Sequence, residues 1–157
     1  MKRLGLLFNL ICSALVILLP ILLYLKTGKI EYSFSAYSNT LASDILMYSL
    51  LIISLSFVVS DNIVSGLLLL GVALFNTYDY EISHHIFAIS FFLNTTFHIL
   101  NEKRYKYIGI PIVISAMFIP LITLFWFEVI ALLCLGIHGF VYTLRILRVD
   151  RNRNNRR

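Results

Sequence analysis

The sequence is poor in charge. Only 13% of its 157 residues are charged, whereas 59% are hydrophobic, and a soluble domain typically carries about 25% charged residues. A chain of this length cannot bury so much apolar surface within itself, but a bilayer can solvate it. The composition therefore predicts an integral membrane protein, with the lipid bilayer as its main partner, rather than a soluble domain.

Cysteine and glycine motifs are also scarce, which excludes several kinds of site. The two cysteines, Cys12 and Cys134, lie inside apolar runs. This is typical of buried packing residues and predicts neither a disulfide nor a cysteine metal site. The sequence has no glycine-rich phosphate loop, no internal repeat and no linker. We therefore expect one domain without a nucleotide site or bound cofactor, zinc being the one exception considered below.

What the sequence does have is apolar runs of the length that crosses a membrane, about 20 residues. The break between the last two runs is predicted at Pro120 and the aromatic cluster Phe125-Trp126-Phe127, since aromatic residues favour the membrane interface. The predicted fold is an all-α polytopic membrane bundle of about six transmembrane helices. The six segments are 5–25, 41–59, 62–77, 83–100, 107–124 and 126–147.

Lysine and arginine predict the orientation of this bundle. With six helices, 11 of the 13 basic residues fall on one side, and only Lys26 and Lys29 fall on the other. Positive residues mark the cytoplasmic side. We therefore expect a multi-pass protein of the bacterial inner membrane with both termini in the cytoplasm. Its transmembrane domain is predicted to be 1–147 and its basic cytoplasmic tail 148–157.

Two features of the ends have competing interpretations. Lys2-Arg3 and the apolar run that follows resemble a signal peptide, but no small-x-small cleavage site follows, so we interpret the run as an uncleaved first helix. The arginine-rich tail resembles a nucleic-acid patch. An anchor beside anionic lipid headgroups explains it more simply, so no nucleic-acid partner is predicted.

The predicted topology brings distant polar residues to the outer level of the bundle. One interpretation is a polar pocket that binds a lipid headgroup or small solute. Another is a zinc-dependent hydrolase, because two imidazoles and a carboxylate form a workable zinc set and a serine beside a histidine can act as a general-base pair. The metal candidates are His84, His85 and Glu128. The full set of catalytic candidates is Ser33, Ser35, Asp79, His84, His85 and Glu128.

Two further histidines, His98 and His138, are predicted deeper in the membrane. Ionisable groups at that depth are functional candidates. The simpler interpretation is a neutral histidine hydrogen-bonded to a neighbouring helix, with partners such as 94–96. Gly136 and Gly139 flank His138 and would permit such close helix approach.

Four motifs resemble a family. The chain is similar, over about 30–147, to uncharacterised small bacterial membrane proteins that broadly resemble the Frag/DRAM/Sfk group of six-helix proteins. This resemblance implies the architecture and carries no established activity. The motifs are Ser33-Phe34-Ser35-Ala36-Tyr37, Gly71-Val72-Ala73-Leu74-Phe75-Asn76-Thr77, His85-Ile86-Phe87-Ala88-Ile89-Ser90-Phe91-Phe92 and Phe125-Trp126-Phe127-Glu128.

A more distant resemblance is to the CREST membrane hydrolases, such as alkaline ceramidases and progestin/adiponectin-type receptors. That group has Ser-x-x-x-His, an Asp and a zinc-binding His-x-x-x-His. Here Ser33 is followed by Tyr37 where histidine is expected, and no His-x-x-x-His is present. Six predicted helices also differ from seven. Three functional hypotheses follow: an outer pocket for a small ligand, a membrane-embedded hydrolase, or a small subunit of a membrane complex.

Overall fold

A computed structural model describes residues 2–60, 62–75, 80–119 and 123–154. In these ranges the chain forms six α-helices and one short 3-10 helix and contains no strand, which confirms the all-α prediction. The elements are α1 (Lys2–Thr27), η1 (Ser35–Asn39), α2 (Ser43–Val59), α3 (Ile63–Leu74), α4 (Glu81–Asn101), α5 (Lys106–Met117) and α6 (Leu124–Asn154).

The helices form a closed ring in chain order. Each helix packs against its sequence neighbours, and α1 packs against α6 to close the ring. Neighbouring helices run in opposite directions. Ser56 near the end of α2 donates a 2.9 Å hydrogen bond to Asn9 near the start of α1, and Asn94 late in α4 donates a 2.8 Å bond to Ser65 early in α3. The bundle therefore alternates up and down.

The two ends of this bundle differ in charge. One end holds the start of α1, the α4–α5 turn with Lys103 and Arg104, and the last turns of α6 with Arg145 and Arg148; we call it the basic end. The opposite end holds the segment 28–42, and we call it the cap end. The antiparallel order thus places these basic residues of distant segments at the same end of the bundle.

Helix lengths differ from the predicted spans. Within the described ranges, two helices are long and apolar enough to cross a membrane, Leu4–Thr27 and Leu124–Val149, while α2, α3 and α5 are shorter apolar helices. Helices α3 and α5 have 12 residues each, about 18 Å at 1.5 Å per residue. Helix α5 ends before the predicted boundary at 124. Helix α6 continues to Asn154, so residues 148–154 of the predicted tail lie in the same helix as the predicted last span.

Large apolar side chains are exposed on the outside of this bundle, and several polar side chains are buried inside it beside the apolar core. Leu4, Ile11 and Leu25 of α1 are largely exposed, and the other helices also expose large hydrophobic side chains. Soluble proteins bury such residues and expose polar ones. The buried polar or charged residues are Ser13, Ser33, Ser49, Ser54, Ser56, Ser65, His84, Thr95, Ser115, Glu128 and Thr143.

Small residues allow the helices to approach closely. A Cβ added to Gly66 in α3 would lie 2.6 Å from a side-chain carbon of Val58 and 3.0 Å from the backbone oxygen of Ser54. A Cβ at Gly136 in α6 would lie 2.6 Å from a carbon of Ile17. Close contacts of this kind are typical of helix packing where lipid surrounds the bundle.

We expect Gly66→Ala to destabilise the protein by about 1–3 kcal/mol, because a backbone atom cannot yield to the added methyl group as a flexible side chain can. The measurement is the free energy of unfolding in detergent, with a lower melting temperature as a second readout. Gly5→Ala is the matched control, since its Cβ would meet only a carbon of Val59 at 3.4 Å. Equal stability of the two variants would contradict the prediction.

Candidate functional site

An ordered cap closes one end of the bundle. Its segment 28–42 contains η1 and buries the side chains of Phe34, Ala36 and Tyr37. The Phe34 ring stacks on Phe125 of α6, with 5.3 Å between ring centroids. The Tyr37 hydroxyl donates to the Lys29 carbonyl at 2.9 Å. These contacts explain why the motif 33–37 carries two aromatic residues.

Two hydrogen bonds fix the cap to the start of α6. The Phe125 N–H donates to the Tyr32 carbonyl at 2.8 Å, and the Phe34 N–H donates to the Glu128 carboxylate at 2.7 Å. Glu128 is only 8% exposed, so this carboxylate is held in place by backbone more than 90 residues away in the chain. The aromatic motif at the start of α6 and the motif in the cap therefore form one structural unit.

A cavity of about 220 Å³ lies beneath the cap, between α2, α3, α4 and α6. We call it the cap cavity. Three aromatic rings line it, those of Phe34, Phe91 and Phe92. Its polar lining consists of Ser35, Ser38, Ser43, Asp44, His84 and Glu128.

Of the predicted pair His84 and His85, His84 has its ring held in place by a hydrogen bond to the backbone. Its Nδ1 lies 2.7 Å from the Phe75 carbonyl oxygen. A carbonyl can only accept, so Nδ1 carries the hydrogen and the lone pair of a neutral ring is on Nε2. His84 is buried, and it lines the cap cavity.

His85 has a different environment. Its side chain is 48% exposed and lies 3.9 Å from Glu81, and it is not part of the cap-cavity lining. Adjacent helical residues point about 100° apart, so one faces inward when the other faces outward. Of the predicted site residues, the structure brings together Ser35, His84 and Glu128 and leaves His85 outside. Ser33 is buried and shares a 2.8 Å hydrogen bond with Ser35, and Asp79 lies outside the described residues.

Within the described ranges, no group of three or more His, Cys, Asp or Glu side chains is arranged to hold a metal ion. His84 and Glu128 line the same cavity and are the two predicted zinc ligands that share a site. The third predicted ligand, His85, is not part of the described lining of this cavity.

Sequence reasoning missed Asp44 in the cap cavity. The residue lies in the first turn of α2, where a carboxylate also interacts favourably with the helix dipole. A signal was available, since the predicted topology places the start of the second helix at the same outer level as Glu128. Ser38 and Ser43 also line the cap cavity and were not among the predicted site residues.

A second cavity, of about 150 Å³, lies toward the basic end. We call it the basic-end cavity. It is lined in part by His98 and His138, the two deep histidines of the sequence. His138 Nε2 lies 2.6 Å from a carboxylate oxygen of Glu102, which confirms a partner outside its own helix but not the one expected. In the predicted partner stretch, Asn94 bonds Ser65 and the Thr95 hydroxyl bonds its own helix.

Comparison with known proteins gives one family. No curated protein and no solved structure matches the chain. The family match covers residues 57–143, more than half of the 157-residue chain. It includes α3, α4, α5 and most of α6, and therefore Glu128 and both deep histidines. The chain belongs to the family of unknown function DUF7103.

Proposed function

We propose that the protein is a six-span membrane protein with its basic end in the cytoplasm. The apolar exterior and buried polar residues support this, because lipid requires that distribution. The concentration of lysine and arginine at one end supports the orientation. Helices α3 and α5 are short, but apolar residues follow them toward the cap end, Phe75 after α3 and Phe118 and Ile119 after α5.

The cap cavity in this proposal binds an alkylammonium group. The observation that carries the proposal is its lining, which combines the carboxylates of Asp44 and Glu128 with three phenylalanine rings. None of the described residues that line it is a lysine or arginine, although the chain has 13 of them. Carboxylates attract a cation, and aromatic rings stabilise an ammonium group through cation–π interactions.

The size of the cavity restricts the ligand. At 220 Å³ it is smaller than the roughly 300 Å³ or more of a site for drug-sized molecules. It suits a single ammonium group with a few carbons. Small solutes and lipid headgroups both carry such a group, so either could be the ligand. An anionic phosphate finds no lysine or arginine among the described residues of this lining.

We expect Glu128→Gln to weaken binding of tetramethylammonium by roughly tenfold to a hundredfold, the effect of losing a 1.5–3 kcal/mol interaction with a charged group. Glutamine can still accept the Phe34 N–H, so the cap is retained. The measurement is isothermal titration calorimetry of the purified protein in detergent. Glu81→Gln is the control, since that carboxylate is 75% exposed. Equal affinities of both variants and the wild type would overturn the proposal.

Two further arms of this experiment separate the alternatives. Competition by short-chain phosphatidylethanolamine, but not by short-chain phosphatidylglycerol, would identify the source as a lipid headgroup. Competition by neither would favour a free solute. Metal analysis of the same samples addresses the hydrolase. One zinc per chain in the wild type, lost in His84→Ala and in Glu128→Ala, would replace the ammonium proposal by the zinc-dependent hydrolase.

A further inference from the structure

The two cavities share part of their walls. Four side chains, one each from α2, α3, α4 and α6, line both the cap cavity and the basic-end cavity. The cavities therefore meet at one level of the bundle and extend from it toward opposite ends. We call these residues the apolar layer: Leu50, Leu69, Phe91 and Leu132.

This layer is entirely apolar, and three of its four side chains are buried while Leu50 is partly buried. Leu69, Phe91 and Leu132 are each less than 10% exposed. The Phe91 ring is held edge-on against Phe57, with 5.7 Å between centroids. The polar groups of each cavity lie on their own side of the layer, so the wall has a polar–apolar–polar sequence along the bundle axis.

The two cavities differ in the ionisable groups of their described linings. The cap cavity contains Asp44 and Glu128. The basic-end cavity contains His98 and His138, and His138 is bonded to Glu102. Neither cavity has a lysine or arginine among its described lining residues. This holds for the basic-end cavity even though basic residues are abundant at the basic end of the bundle. The cap cavity therefore favours a cation, and the described lining of the basic-end cavity has no lysine or arginine to repel one.

We propose that the two cavities are the two halves of one pathway for a small alkylammonium cation, and that the apolar layer is its gate. This inference rests on the proposed membrane topology and ligand class. The cavities, of about 150 and 220 Å³, have room for about five to seven water molecules each, at about 30 Å³ per molecule in the liquid. A hydrophobic constriction between two such hydrated spaces stops permeation by excluding water, and it opens when the constriction widens.

The gate can be tested by removing part of it. We expect Leu69→Ala to raise tetramethylammonium uptake into proteoliposomes about tenfold over wild type, equivalent to a barrier lower by about 1.4 kcal/mol. Tetramethylammonium is permanently charged and crosses bare lipid poorly, so uptake reports the protein. Leu67→Ala is the matched control, because Leu67 lies on the same helix but is 57% exposed. Leu69→Val gives a milder enlargement of the same gate for use where the alanine variant does not purify folded.

The outcomes separate this inference from the proposed function. Uptake by a folded Leu69→Ala or Leu69→Val variant no faster than that by Leu67→Ala, with calorimetric binding intact, would overturn the pathway and leave the binding site standing. Faster uptake with no measurable binding to wild type would keep the pathway and remove the proposed binding function. Faster uptake of an anion such as ethyl phosphate than of tetramethylammonium would overturn the cation assignment.

Discussion

Phe125→Ala is expected to lower the free energy of unfolding by about 3–5 kcal/mol, the usual cost of truncating a buried phenylalanine. Phe125 is 3% exposed. Its ring stacks on Phe34 and lies 6.2 Å from the ring of Tyr37. The truncation removes the surface on which the cap rests, so cap and bundle lose stability together. The measurement is equilibrium unfolding in detergent, with limited proteolysis of the segment 28–42 as a local readout.

The neighbouring aromatic residue supplies the control. Trp126 follows Phe125 in the chain but is 48% exposed, so Trp126→Ala removes mainly surface that faces outward. We expect its stability to stay within about 1 kcal/mol of wild type, as for most exposed substitutions. Similar losses for both variants would show that the cap does not depend on the Phe34–Phe125 stack.

The helix pattern could be predicted from the sequence because apolar runs and turn residues are local signals. Such signals predicted the boundary after Val59, and they placed the start of the fourth helix at residue 83, two residues after its observed start at Glu81. The ends of α5 and α6 do not. Met117 lies inside an apolar run, and Arg151 and Arg153 continue α6 beyond the last apolar residues. Hydropathy responds to composition and is insensitive to where a helix in such a run ends.

The candidate site was partly predictable because alternating topology alone places Ser35, His84 and Glu128 at one level. It could not decide which of His84 and His85 faces inward, since that depends on the rotation of α4. It also could not reveal the bond from the Phe34 N–H to Glu128. Contacts between residues far apart in the chain depend on tertiary packing, and no local pattern encodes them.

A double-mutant cycle on Glu102 and His138 is expected to give a coupling free energy of about 1–3 kcal/mol, in the upper part of the roughly 0.5–3 kcal/mol found for residues in one hydrogen-bonded network. The two side chains are 2.6 Å apart at their closest atoms, and they join the end of α4 to the middle of α6. Their exposed fractions are 28% and 12%, so water competes little for the bond. The variants are Glu102→Ala, His138→Ala and both together, compared by unfolding in detergent.

A second glutamate–histidine pair in the same protein is the matched control. Glu81 and His85 lie 3.9 Å apart on α4, with 75% and 48% of their side chains exposed. Exposed pairs of this kind contribute little because solvent screens them and both side chains lose freedom on pairing. We expect the coupling in the Glu81→Ala, His85→Ala cycle to be much smaller than in the Glu102–His138 cycle. Equal couplings would mean that burial at the basic-end cavity does not strengthen the Glu102–His138 bond, and that this pair does not hold α4 against α6.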